Sequence, residues 1–218
     1  RMFPLNVALI QASPPDDFGW MSLGVSVDIT LAAALSADIV IVQENPKMPW
    51  ILGSGFIHVN DVDVIVEHEE DLKTIGEREE AEEGNMIARH VARLVDDGST
   101  IQISLGATPS QTLLAFSDKN DLGVHSLFVT DGMMHLVSKG IITNRKKDFN
   151  EGKMVASTAI GSTELYEFLN YNPSVDFHPA DYVCAPRVIS RHHRMVAMNI
   201  GIAIDLTGQV AVDAFALN

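Results

Sequence analysis

Ile39-Val40-Ile41-Val42 is a β-branched run too short to form a helix of its own, and it is apolar at every position rather than every second one. A strand of that kind is expected in a sheet covered on both faces, as in folds with parallel sheets and flanking helices. Asn6 to Ile10 reads as a second buried strand, which Pro14-Pro15 cannot continue because proline removes ladder donors. Between them, Asp28 can cap a helix through the alanine-rich Ile29 to Ala37. A further strand is expected at Val62 to Val66. The alternation of short strands with helical stretches predicts an α/β chain with largely parallel sheets.

From Glu67 to Gly84 acidic residues crowd a segment with few apolar anchors, which reads as a solvated linker and a domain boundary. Beyond it, Ile87, Val91, Leu94 and Val95 form the apolar stripe of an amphipathic helix closed by Asp96-Asp97-Gly98. Thr100 to Ser104 is expected as a strand, Gly106 to Pro109 as a loop and Ser110 to Phe116 as a helix. Val124 to Thr130 and Val155 to Ile160 are expected strands. Met133 to Ser138 is a short helix with Gly140 beyond it as a stop. Ser162 can cap the helix holding Leu165, Tyr166, Phe168 and Leu169. Met195 to Asp205 and Val210 to Ala214 are the last expected strands. The apolar openings at both ends, after Arg1-Met2 and before Asn218, suggest a piece of a longer protein.

Charge narrows the partners. Fifteen basic residues against 29 acidic ones leave a formal charge of −14 on 218 residues, a field that repels nucleic acid and anionic membrane surfaces. The longest apolar stretch, Leu31 to Val42, is interrupted by Ser36 and Asp38 and is too short to span a bilayer. A single cysteine, Cys184, has no internal disulfide partner, and a reducing cytoplasm is the expected compartment. Cys184 reads as a buried small hydrophobe.

No phosphate-binding glycine loop, zinc spacing or metalloprotease motif occurs, and no metal is expected. His192 and His193 are adjacent, so on an extended segment their side chains diverge. Arg187, Arg191 and Arg194 flank them as one basic island, and Arg145-Lys146-Lys147 is another. Each reads either as surface ion pairing or as an anion pocket. In Ser104-Leu105-Gly106-Ala107-Thr108-Pro109 a strand runs through small residues into a helix. A ligand can approach that backbone closely and meet free N–H groups at the helix start.

These segments, in order, resemble the acetyl-CoA hydrolase/transferase family, which includes 4-hydroxybutyrate CoA-transferases. The resemblance is carried by Ser13-Pro14-Pro15-Asp16, by Ser22 to Asp28 (SLGVSVD), and by Phe56-Ile57-His58-Val59. It continues through Asp97-Gly98, Gly106-Ala107, Leu122 to Ser126 (LGVHS) and Asp131-Gly132. Ile142 to Lys147 (ITNRKK), Asp181-Tyr182-Val183, Pro186 to Ile189 (PRVI) and Asp205 to Val210 (DLTGQV) complete it. It implies CoA-transferase-type α/β domains with mainly parallel sheets. Residues 1–80 would be the late part of a first domain, ending in the acidic linker, and 81–218 the early part of a second. It also implies coenzyme A as a substrate, moved between an acyl-CoA and a short carboxylic acid. The CoA contacts fall on Ser104, Leu105, Gly106, Ala107, Thr108 and Ile202. The chain would be a homo-oligomer or the partner of a catalytic subunit.

The family's nucleophile is a glutamate that attacks the acyl carbonyl beside backbone donors for the oxyanion. Its position here, after His125-Ser126 and before Asp131-Gly132, is Leu127, so no catalytic residue of the family is retained. Ser104 stands where the loop's first glycine is usual, and Ala203 replaces a second family glutamate. Glu44 and Glu164 are the carboxylates that could substitute. The alternative is a non-catalytic CoA-binding or structural subunit, or a fragment.

Overall fold

The computed structural model describes residues 4–76 and 82–212. The first stretch runs β1 (Leu5–Ala12), β2 (Trp20–Ser22), α1 (Thr30–Ser36), β3 (Ala37–Glu44), β4 (Phe56–His58) and β5 (Val64–Glu67). The second opens with α2 (Glu82–Ala92), β6 (Thr100–Ile103), α3 (Ala107–Leu114), β7 (Gly123–Val124), β8 (Phe128–Val129) and α4 (Asp131–Ser138). It continues with β9 (Met154–Ala156), β10 (Thr158–Ala159), α5 (Thr163–Leu169), β11 (Val175–Phe177), α6 (Ala180–Val183) and α7 (Pro186–Ile189). It ends with β12 (Met195–Met198), β13 (Ala203–Ile204) and β14 (Val210–Ala211).

The architecture is α/β with mainly parallel pairing: β1-β3-β5, β12-β6-β7, β10-β8 and β11-β9 are all parallel, while β2-β4 and β13-β14 are antiparallel. No helix among the described residues is long and apolar enough to cross a membrane.

Asp28 sits one residue outside the expected cap position. Its Oδ1 accepts from the N–H of Ile29 and, at 3.2 Å, from that of Thr30, holding the start of α1. Ala8, Val40 and Val42 on one face of the first sheet are buried, and Val40 and Val42 share a core cluster with the buried Ala34 of α1. The other face departs from expectation. Val7, Leu9 and Ile39 are 47%, 76% and 44% exposed, so Ile39–Val42 is covered on one side only among the described residues.

Three expected long strands are broken where the chain changes sheet. Val124–Thr130 splits because β7 pairs with β6 whereas β8 pairs with β10. Val155–Ile160 splits at Ser157, since β9 joins β11 and β10 joins β8. Met195–Asp205 splits between β12 and the β13-β14 hairpin, and residues 213–214 of the last expected strand lie outside the described residues. Hydrophobic runs do not reveal such transfers, because apolar residues continue across each break.

The stripe expected on α2 holds in part: Val95, just beyond the helix, is buried and Val91 is half-buried, but Ile87 and Leu94 are 49% and 79% exposed, and within α2 the buried positions are Gly84, Ala88 and Ala92. These small residues let α3 approach closely, and a Cβ at Gly84 would collide with the side chain of Gln111. Within the acidic segment, Lys47 bridges Glu69 and Asp71 at 3.3 and 2.7 Å, while Gln11 and Gln43 donate to Glu70. Residues 77–81 of the expected linker lie outside the described residues.

Candidate functional site

β6 is the central strand of its sheet, and its C-terminal end delivers the chain to Ser104. The helix that follows starts at Ala107, three residues earlier than expected, with Gly106 as its N-cap. Pro109 fits there because the N–H groups of a helix's first turn have no intrahelical partner to lose. Gly106 adopts φ +143°, a conformation open to glycine alone, and a Cβ there would stand 3.0 Å from Ile200 Cδ1. No side chain caps α3. Ser104 donates its N–H to Met198 O at 3.0 Å, and its hydroxyl oxygen is buried without a protein partner. Polar groups of this kind are usual where a ligand or water completes the bonding.

The residue before 127 contacts the end of β6, one position ahead of this turn. Ser126 is fully buried, and its hydroxyl sits 3.4–3.5 Å from the carbonyl and N–H of Ile103, the last residue of β6. Leu127 follows directly and is half-buried. Its carbonyl accepts from the N–H groups of Ser157 and Thr158 at 3.2 and 3.0 Å. The preceding residues are fixed from several sides. Val124 N–H donates to Asn144 Oδ1 at 2.8 Å, Lys147 Nζ donates to the carbonyls of Val124 and Lys153, and His125 Nε2 meets Val183 O at 2.8 Å. The segment His125-Ser126-Leu127 is therefore held rigidly, whatever side chain occupies its third position.

Ile202 is in a separate hairpin, its N–H bonded to Ala211 O, with its side chain 43% exposed. The hairpin's approach, through Ile200, reaches the Gly106 turn. Ala203 is exposed in β13. Glu44 ends β3 in the first sheet and Glu164 is exposed in the first turn of α5, so both belong to elements other than those bearing the turn and residue 127.

Sequence reasoning missed a buried basic cluster behind the site. His125 and His192 are 2% and 4% exposed, with ring centroids 4.8 Å apart, and neither nitrogen of His192 has a protein partner. Burial holds His125 below the usual imidazole range, and it takes His192 to about 4 with help from His125 and Lys147. Burial also pushes Lys147 down to about 7, opposed by Asp176. His125, Lys147 and His192 lie far apart in the sequence, so no local spacing marks the cluster.

A stability profile follows. An unfolded imidazole binds a proton near pH 6.5, whereas folded His192 refuses it until about pH 4. The contribution is complete above 6.5 and is lost as pH falls toward 4, because the unfolded state then binds more protons. Melting temperature measured across this range should fall less steeply in His192→Phe than in the parent. For Lys147 the window runs from 10.5 down to about 7, so the same folding data should show stability rising with pH above 7.

The two basic islands are drawn into one surface. Lys146, His193 and Arg194 line a 400 Å³ cavity, but Asp97, Asp121 and Asp148 line it too. Arg145 bonds Asp121 at 3.0 Å and Arg191 stacks on Phe149, so ion pairing and stacking account for much of both islands. His192 and His193 do diverge, one buried and the other exposed. Cys184 is exposed, contrary to expectation, because α6 turns it outward beside buried Val183. Among the described residues, no group of three or more histidine, cysteine or acidic side chains is placed to hold a metal.

The fold and the strand–turn–helix site together define a CoA-transferase-type α/β protein, with structural relatives of that kind. A crystal structure of 4-hydroxybutyrate CoA-transferase from Porphyromonas gingivalis superimposes with a TM-score of 0.92 at 39% identity, over 96% of this chain and 54% of that one. RipA from Yersinia pestis superimposes at 0.91 and 35% identity, over 95% and 49%. Residues 2–77 match the acetyl-CoA hydrolase/transferase N-terminal domain, and residues 161–218 match the corresponding C-terminal domain. The chain belongs to the acetyl-CoA hydrolase/transferase family. It is 42% identical over its whole length to the 4-hydroxybutyrate coenzyme A transferase of Clostridium kluyveri, of which it covers 51%. It is 37% identical over 96% of its length to a succinyl-CoA:acetate/propanoyl-CoA:succinate CoA transferase of Fasciola hepatica, covering 44% of that protein. It thus spans about half the length of the curated relatives it matches.

Proposed function

We propose that the chain binds acyl-CoA at the Ser104–Thr108 turn, as part of a protein that moves CoA between an acyl-CoA and a short carboxylic acid, and that it supplies no nucleophile of its own. Residues 1–80 then represent the late part of one CoA-transferase domain and 81–218 the early part of the next, with Ile202 a further CoA contact. The observation that supports this reading is the buried Ser126–Ile103 contact, which joins the residue before Leu127 to the strand end before the turn. The free N–H groups at the start of α3 and the unpartnered Ser104 hydroxyl are suited to an acyl carbonyl or a phosphate oxygen.

In the covalent route a carboxylate oxygen bonds to the acyl carbon, the C–S bond breaks and CoA leaves as thiolate. The thiolate then attacks the enzyme-side carbonyl of the anhydride, releasing the acid and leaving a glutamyl thioester, which an incoming carboxylate reverses. Leucine has no lone pair and can enter none of these steps. The hydrocarbon at residue 127 favours one second reading, a CoA-binding subunit paired with a chain that carries the glutamate.

The test is calorimetric titration with acetyl-CoA, followed by intact-mass measurement of the incubated protein before borohydride, where a thioester retains the mass of CoA, and after it, where the carboxyl is reduced to an alcohol and CoA is lost. Binding without a covalent adduct is the expected result. Absence of binding would remove the CoA assignment, and an adduct on the parent chain would remove the claim that it lacks a nucleophile.

A further inference from the structure

We propose that the pocket between α3 and α4 receives the acyl chain of the acyl-CoA, and that it selects short, uncharged chains over those ending in a second carboxylate. This rests on the reading that CoA thioesters bind at the Ser104–Thr108 turn, and it adds which of them bind best. Leu105, Gly106 and Ala107 of that turn line a pocket of 160 Å³. A chain attached to an acyl carbonyl held by the turn's N–H groups therefore has this pocket directly beside it.

Hydrocarbon forms much of the wall. Leu114 comes from the last turn of α3, and Ile160 follows β10. Ile75 is pinned alongside, because its N–H donates to Gly161 O at 3.1 Å. Since a water's share of liquid volume is about 30 Å³, the pocket holds about five groups of methylene size. That suits an acyl chain of about four or five carbons and leaves no room for an octanoyl chain.

Charge sets the second limit. Among the described residues no lysine or arginine lines the pocket, and Asp131, the first residue of α4, is its one acidic side chain. The Asp131 carboxylate accepts from the N–H of Ser162 at 3.1 Å and from its hydroxyl at 2.5 Å. A Cβ on Gly161 would stand 2.2 Å from Asp131 Oδ2. The acid is thus fixed against the pocket wall and bonded to neutral donors. His135, also in the lining, is exposed. A terminal carboxylate entering here would meet a like charge and find no guanidinium or ammonium to receive it. Butyryl and succinyl chains have the same number of carbons, so comparing them separates charge from size.

The full chain is titrated by calorimetry with CoA and with acetyl-, butyryl-, octanoyl- and succinyl-CoA. Affinity is expected to rise about fourfold per methylene from acetyl to butyryl, and octanoyl-CoA should bind no more tightly than butyryl-CoA. Succinyl-CoA should bind at least about tenfold more weakly than butyryl-CoA, and Asp131→Asn should narrow that gap. Leu114→Trp, at a position 51% exposed, should keep the parent's melting temperature and remove the rise from acetyl to butyryl. Equal affinity of the parent for butyryl- and succinyl-CoA, or a rise that continues to octanoyl-CoA, overturns the pocket's role while CoA binding stands. No binding of CoA or of any thioester overturns the CoA reading itself, and the pocket's role with it.

Discussion

Gly53→Ala is expected to lower the melting temperature by roughly 10 °C, the largest loss of stability from a single added methyl group in this fold. Gly53 has φ +123°, and a Cβ built on it would lie 2.2 Å from the carbonyl oxygen of Phe177 and 2.5 Å from its nitrogen. Both atoms belong to backbone and cannot rotate away. They also make the bonds that join the two stretches of chain here, Phe177 N–H to Leu52 O and Ser54 N–H to Phe177 O, each 2.7 Å. Phe177 is fully buried and pairs with Ala156 across β11 and β9, so its displacement would disturb the core. Strain at a positive φ costs about 1–3 kcal/mol. Overpacking against fixed atoms adds about 1–3 kcal/mol. Together with two weakened hydrogen bonds, a loss of ~3–5 kcal/mol is expected, read directly from chemical denaturation. Gly76→Ala is the control, since no atom lies within 4 Å of its added Cβ, and its denaturation midpoint should match the parent's.

That junction was invisible in the sequence, and the reason is physical. Trp50 to Ser54 carries no periodic pattern, because it joins the body through main-chain atoms at Gly53 and Phe177 rather than through an apolar face. Patterned elements were legible. The β-branched run at Ile39–Val42 is a strand, and the helix after Ser162 is capped by its hydroxyl at 3.2 Å. What the pattern did not carry was pairing. Residues 124–130 read as one strand because each is compatible with a core, yet the chain leaves β6 for β10 midway through them. The α2 stripe was misplaced at Ile87 and Leu94, because close packing on α3 selects glycine and alanine, whose low hydrophobicity hides a buried face.

The candidate site divides in the same way. Small residues after a strand identified the Gly106 turn, and the family resemblance points to residue 127 as the proposed nucleophile position. Burial of His125, His192 and Lys147 depends on long-range packing by Val183 and Phe149, which no local spacing encodes.

Placing a carboxylate at residue 127 tests the proposed site most severely. Leu127→Glu is expected to form a glutamyl thioester, seen as a mass increase after incubation with acetyl-CoA, where the parent chain forms none. The backbone there is already fixed by the carbonyl of Leu127, the hydroxyl of Ser126 and the bonds of Val124, so the new side chain inherits a defined origin. Leu127 is half-buried, which leaves room for solvent to reach a carboxylate. Positioning of a reacting group is worth up to about 7–11 kcal/mol of barrier, so even a partial gain would stand far above background. Leu127→Gln supplies the matching shape without a nucleophilic oxygen anion and should give no adduct. An adduct with glutamate alone assigns the chemistry to residue 127. Equal, negligible labelling of both variants, with acetyl-CoA still bound, would show that the turn and residue 127 do not form one reaction centre.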